Sequence, residues 1–350
     1  MPDCPRGVQT NAMMRSVKRI PSLDGLRAIS IFLVVIGHWL TVRNGSPAAL
    51  SYAILGVRIF FIISGYLITS LLLQERAKTG AISLRKFYVR RAYRILPAAT
   101  AFMLPMMIIR RHDLTWYHAA AAALYLADFD PTKPLFLGHL WSLSVEEQFY
   151  LVWPGVLRKW HKHRIAILLT VVAFAPVYQV ICYALHVRHF DHHFFAVADS
   201  LAIGCLTAIL APRLPRIKTW LGWAMLAPIL FTPVFFGTSR IRTLLLLFLL
   251  WPLTYVSIAG ILLRVVQKPP RLLNLGPVVW LGQISYSLYL WQQIFVFDAN
   301  RRPWYFVLFA VGVASLSYYL VEQPMLRLRD RGASAKRSEV PLIRSQEPAA

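Results

Sequence analysis

Residues 26–42 read Leu26-Arg27-Ala28-Ile29-Ser30-Ile31-Phe32-Leu33-Val34-Val35-Ile36-Gly37-His38-Trp39-Leu40-Thr41-Val42, an apolar run that only a bilayer-spanning helix satisfies. Its two strongly polar members are Arg27 and His38. Eleven steps of about 100° bring the second back to within about 20° of the first, so both lie on one helix face. At about 1.5 Å per residue they stand roughly 16 Å apart, half the depth of a hydrocarbon core of about 30 Å. A guanidinium this deep costs at least about 2.5 kcal/mol on insertion scales, and polar groups kept at such a cost face a pathway or a site. An anion-binding group and a proton-transfer group thus share one face. That points to something charged entering from one end, with chemistry near the middle or far side.

Outward from this run the pattern repeats. Of 350 residues, 57% are hydrophobic and only 15% charged, which places nearly the whole chain in one polytopic membrane domain. The sequence predicts an all-α bundle of about ten transmembrane helices, near 26–43, 53–73, 95–109, 141–157, 165–186, 195–211, 220–236, 243–264, 277–297 and 303–320. The alanine-rich stretch 115–127 is too short to span and reads as a re-entrant or surface helix. Charge decides that point: with both termini cytoplasmic, 27 Lys and Arg fall in inside segments and nine outside, and an eleventh span would expel Arg158, Lys159, Lys162 and Arg164. The net charge of +23 is therefore topology charge in short loops, and no nucleic acid is expected as a partner. Segment 1–20 is a basic cytoplasmic leader into a membrane domain at 21–326. The polar tail 327–350 has no apolar period and is expected to be disordered. No cleavage site follows the first apolar run, so it reads as a retained span. Cys4, Cys182 and Cys205 offer no even-numbered framework and no CxxC pair.

Several polar constellations interrupt the apolar background. Arg90 and Arg94 are neighbours at i, i+4 before Ile95-Leu96-Pro97, so two guanidiniums could clamp a phosphate; anionic-lipid contact explains the same charges. The string His139-Leu140-Trp141-Ser142-Leu143-Ser144-Val145-Glu146-Glu147-Gln148 places a histidine and carboxylates at the head of an apolar helix, a pairing fit for proton movement in acyl or phosphoryl transfer. Ser144 and Glu147 have capping-box spacing, so helix initiation accounts for part of it. Asp24 and Arg27 are spaced to pair. Ser64-Gly65 and Tyr286 read as close-packing residues, and Glu322 as one half of a structural ion pair. His186, His189, Asp191, His192 and His193 match no standard zinc spacing, so no metal is assigned.

Taken in order, these strings resemble the acyltransferase-3 family, integral-membrane enzymes that O-acylate surface polysaccharides and related molecules. The resemblance runs from about Ile20 to Arg327 and rests on Leu23-Asp24-Gly25-Leu26-Arg27-Ala28 with His38, Phe60 to Thr69, Phe87-Tyr88-Val89-Arg90-Arg91, His139 to Tyr150, Ile284 to Trp291, and Val321-Glu322-Gln323-Pro324. It implies a ten-helix bundle with both ends cytoplasmic, Arg90 and Arg94 at the acyl donor, and Arg27 with His38 as the pair required for transfer. Two positions depart from the family pattern. Arg58 stands where Gly-Val-Asp places an acid, and Gln292 where Leu-Trp-His places a histidine. Members with an appended soluble esterase-like domain are longer, and this chain resembles the membrane domain alone.

The expectation is a multi-pass O-acyltransferase of the bacterial inner membrane. It would use acetyl-CoA or another acyl-CoA as donor substrate, with no permanently bound cofactor, and a carbohydrate or lipid-linked glycan as acceptor among membrane lipids. His38 would be a general base or a transient acyl carrier, with His139 and Glu146 assisting. The competing readings are a transporter or flippase of an anionic lipid-linked sugar, and acylation of a small molecule such as a macrolide. The absence of an internal repeat disfavours a transporter built from inverted halves.

Overall fold

The computed structural model describes residues 20–45, 47–235, 244–296 and 303–338. The basic segment 1–19 and the tail beyond Ser338 lie outside them. Fourteen α-helices occur among the described residues, and no strand. The first two form a hairpin. Helix α1 (Pro21–Asn44) opens with proline in its first turn, where no amide hydrogen is needed, and closes at Gly45. Gly45 has φ of 62° and its amide donates to Thr41 O, a left-handed cap that favours glycine. Helix α2 (Pro47–Thr79) returns antiparallel and α3 (Leu84–Ile109) starts from Ser83, whose hydroxyl accepts from the Lys86 amide. The alanine-rich stretch forms only α4 (Trp116–Ala123). Then follow α5 (Leu140–Lys159), α6 (Arg164–Ala184), α7 (Phe194–Leu210), α8 (Thr219–Ala224), α9 (Leu226–Phe231) and α10 (Trp251–Gln267). The chain ends with α11 (Gly276–Gln283), α12 (Ser285–Val296), α13 (Phe306–Ser317) and α14 (Gln323–Ser338).

Seven helical segments among the described residues are long and apolar enough to cross a membrane. Three of the ten sequence-predicted spans are not among them, each for a visible reason. α5 is long enough but carries Glu146, Glu147, Arg158 and Lys159. The stretch 220–236 is divided into α8 and α9 at Met225, and 277–297 is divided into α11 and α12 at Ile284. One further expectation is corrected. α5 begins at Leu140, so Ser144 caps nothing; inside the helix it donates to Leu140 O and accepts from the Ala127 amide. α14 continues from a spanning helix as far as Ser338, since extending a helix is far easier than nucleating one, and the rest of the tail expected to be disordered lies outside the described residues.

Small residues set the closest crossings. A Cβ on Gly65 would meet Leu201 O at 2.1 Å, and one on Gly204 would meet Ile62 O at 2.1 Å, so α2 and α7 touch backbone to backbone. Arg58, in the next turns of the same contact, reaches Asp199 at 3.3 Å and lies 5.6 and 5.7 Å from the stacked rings of Trp251 and Tyr255. It is a helix-to-helix ion pair turned away from the cavity described next. Residues 58 and 65 of α2 face 199 and 201 of α7, so the two run parallel and end together. Gln267 at the end of α10 bonds the 215–217 backbone, and Ser22 at the start of α1 bonds Asn274. Arg164 lies within electrostatic reach of Arg76 and Arg213. The basic loops 74–94, 158–164, 211–218 and 264–275 thus gather at the end of the bundle where α1 begins.

Candidate active site

At that basic end a cavity of about 60 Å³ opens between α1, α2, α3, α5 and α12. At roughly 10–15 Å³ per water-sized probe, this is room for a few waters or a small acyl group. Three guanidiniums line it: Arg27 from α1, and Arg91 and Arg94 from α3. Opposite them stand Ser64, Ser142, Glu146, Ser285, Tyr286 and Tyr289. Ser285 comes from the break between α11 and α12, and irregular backbone inside a membrane protein is tolerated where it borders such a cavity.

Arg91 organises the polar wall. Its guanidinium reaches Glu146 at 3.3 Å and Glu147 at 3.4 Å and lies 3.5 Å over the Tyr150 ring. Glu146 also accepts hydrogen bonds from the Ser64 and Tyr150 hydroxyls. Three donors thus converge on Glu146. Ser64, expected to serve packing alone, is thereby part of the site. The expected Arg90–Arg94 clamp is not formed. Arg94 faces the cavity, while Arg90 pairs with Glu75 at 3.4 Å and its side chain is 49% exposed. The i, i+4 rule overlooked Arg91, yet the sequence carried a sign of it. Phe87, Ile95, Ala98 and Phe102 are the buried stripe of α3, and position 91 falls on that stripe where 90 does not.

His38 is aimed by a chain of amides. The Leu135 carbonyl can only accept, so Gln293 presents Nε2 to it, at 2.9 Å, and turns Oε1 toward Gln292. Gln292 Nε2 donates to that oxygen at 3.3 Å, which leaves Gln292 Oε1 to accept from His38 Nδ1 at 3.2 Å. The network assigns the proton of His38 to Nδ1 and its lone pair to Nε2, the tautomer a base requires. His139 is buried nearby, edge-on to Phe102 and Tyr289 at 5.4 Å each, and within electrostatic reach of His38. Tyr289 connects the two regions. It lines the cavity, and its hydroxyl bonds His139 O at 2.9 Å and shares a hydrogen bond with Ser142.

The remaining predicted positions are placed as follows. Asp24 pairs with Arg27 at 3.9 Å. Glu322 accepts from Ser287 and lies near Arg94 and Arg27. Gln148 donates to Tyr125 O and to Asp128, whose carboxyl burial pushes up to about 6. In the histidine-rich loop His192 stacks on Trp141, with ring centroids 4.6 Å apart. Among the described residues, no three His, Cys, Asp or Glu side chains converge as metal ligands.

Comparison with known proteins adds an independent finding. A family model described as an acyltransferase domain, Acyl_transf_3, matches residues 20–322. A peptidoglycan O-acetyltransferase OatA of Listeria monocytogenes is 30% identical over 315 residues, covering 79% of this chain and 49% of that protein. An O-acetyltransferase OatA of Staphylococcus aureus is 28% identical over 375 residues, covering 92% of this chain and 59% of that protein. The chain thus spans about half the length of these curated relatives. No solved structure matches it.

Proposed function

Because the chain belongs to the Acyl_transf_3 family of acyltransferase domains, we propose that it is a membrane O-acyltransferase that moves an acyl group, acetyl foremost, from cytoplasmic acyl-CoA to a hydroxyl of a carbohydrate acceptor. The observation that carries this reading is the convergence of Arg27, Arg91, Arg94, Ser64 and Glu146 on one small cavity at the basic end, whose lining Tyr289 ring meets His139, with His38 within electrostatic reach of His139. The names of the relatives, both O-acetyltransferases and one of peptidoglycan, favour acetyl and a glycan.

In this reading the phosphates of the donor meet Arg94 at the cavity mouth, while Arg90 stays at the rim. The thioester enters between Arg27 and Glu146. His38 takes the proton of the acceptor hydroxyl on Nε2, the oxygen attacks the thioester carbonyl, and the CoA thiolate leaves toward the basic end. Arg27, roughly 16 Å from His38 along α1, meets negative charge of the donor further in than Arg94. Glu146 and Glu147 hold Arg91, and Arg91 in turn shapes the wall. The full bundle spans the membrane ten times with both termini cytoplasmic, so that α5, α8–α9 and the broken α11–α12 cross as well as the seven longer segments. Location in a bacterial inner membrane follows from the same reading.

The test is direct. Purified chain in lipid nanodiscs, given radiolabelled acetyl-CoA and a lipid-linked glycan, is expected to release CoA and label the acceptor without any ion gradient. Mass spectrometry of surface glycans from cells with and without the chain should show the increment of one acetyl group. Intact acetyl-CoA in the first assay, together with unchanged glycans in the second, would remove the proposal.

A further inference from the structure

A second basic site lies apart from the cavity, where the loop 211–218 after α7 meets the end of α10. A recess of about 520 Å³ is lined by Arg216, Ile217, Lys218, Thr219, Arg264, Gln267 and Lys268. No carboxylate lines it, and none of its four cations forms an ion pair among the described residues. Charge that serves topology alone is pooled over a loop and needs no fixed geometry. Here the geometry is fixed. Gln267 accepts from the Ile217 amide at 3.0 Å and donates to Pro215 O at 3.2 Å, which pins the loop to α10. Arg264 donates to Thr219 Oγ1 at 3.1 Å and to Lys268 O at 3.4 Å, and its Nε is buried without a partner.

The surroundings identify the occupant. Trp220 and Trp223 follow at once on α8, one turn apart, and are 65% and 70% exposed. Exposed indoles at one level mark the headgroup zone of a bilayer. A soluble phosphate would have no use for them, whereas a lipid whose phosphate sits in the recess would lay its glycerol and upper chains against them. Basic recesses between membrane helices are suited to anionic headgroups. We propose that this recess binds the phosphate of an anionic phospholipid, with Arg216, Lys218, Arg264 and Lys268 as its charge partners and Trp220 and Trp223 flanking the lipid. The proposal is independent of the acyl-transfer reading, since it requires only that the chain lie in a membrane.

Native mass spectrometry of the full chain, released from nanodiscs of phosphatidylcholine with and without phosphatidylglycerol, tests it. Wild type is expected to retain phosphatidylglycerol and to melt higher in its presence. The combined variant Arg216→Gln, Lys218→Gln, Lys268→Gln changes only exposed side chains and should fold. It is expected to bind the lipid on the order of a hundredfold more weakly, from about fivefold per cation. A control with Arg158→Gln, Lys159→Gln and Lys162→Gln removes equal charge at the same end and should retain the lipid. Equal loss in the control would reduce the effect to pooled charge and overturn the proposal. So would an equal rise in melting temperature from inorganic phosphate alone that the triple variant loses, which would make the recess a site for soluble phosphates.

Discussion

A histidine is only as useful as the nitrogen it presents, and His38 presents Nε2 because Leu135 O fixes the direction of two amides in series. His38→Ala is expected to lower acyl transfer by about 10²–10⁴-fold, the range for a positioned base, with membrane insertion unchanged. Gln292→Leu should lower it on the order of tenfold, since loss of an orienting hydrogen bond is worth about 1 kcal/mol. Single-turnover transfer measures both, and near-wild-type activity in His38→Ala would end its role as base or carrier. The arginines separate differently. Arg91→Ala strands Glu146 and Glu147 and should cost about 3–5 kcal/mol of stability. Arg90→Ala breaks a half-exposed pair with Glu75 and should cost at most about 1 kcal/mol. Arg94→Ala should melt like wild type yet bind acyl-CoA weakly. Melting curves and donor titrations on the three variants check this, and a binding loss in Arg90→Ala as large as in Arg94→Ala would restore the clamp expected from i, i+4 spacing. Arg91 rather than Arg90 faces the cavity for a local reason. Spacing states which residues are neighbours on a helix, but the stripe Phe87, Ile95 and Phe102 states which face is buried.

At the scale of elements, α2 and α7 depend on the absence of two side chains. Gly204→Ala would force a methyl against Ile62 O and is expected to destabilise the bundle by about 1–3 kcal/mol, as overpacking does. Gly155→Ala, where a Cβ meets nothing within 4 Å, is the matched control, and thermal melts of the two variants should differ by several degrees. Similar melting would show that the crossing can relax. Which elements could be read from sequence follows from what sets them. The expected span 26–43 ended within a residue of α1 but began five residues late, because the polar first turn from Pro21 to Asp24 precedes the apolar run. The start of α5 was read as 141, one residue from Leu140, but the roles of Ser144 and Glu147 were not legible, because they imitate a cap while their actual partners, Ala127 and Arg91, come from elsewhere in the chain. The break at Ile284 was equally hidden, since Gly282 lies against Asp24 O in a contact only the fold creates.

For the whole molecule, the class and the pole were readable from hydropathy and charge, while the site was readable only in part. Arg27, Arg94 and Glu146 line one cavity; His139 stands one ring beyond it, behind Tyr289, and His38 lies within electrostatic reach of His139. Sidedness remains the quantity on which the mechanism turns. With Cys4, Cys182 and Cys205 replaced, single cysteines at 158–164 and at 186–193 can be probed with an impermeant thiol reagent on intact cells. Labelling is expected at 186–193 and not at 158–164. The reverse would put the Arg94 end of the cavity on the side without acyl-CoA, and transfer across the bilayer would be untenable.

The gathering of basic loops at one end also governs how fast a multiply charged anion arrives. A cleft within a field of one sign raises capture rates by about 10–10³-fold, and a Debye length of about 10 Å at 0.1 M salt screens much of that attraction. Proton transfer behind Tyr289 lies outside the reach of the bulk ions. Raising ionic strength should therefore depress kcat/KM for the acyl donor steeply while kcat scarcely moves, so the enzyme would be limited by encounter in brine and by chemistry in dilute buffer.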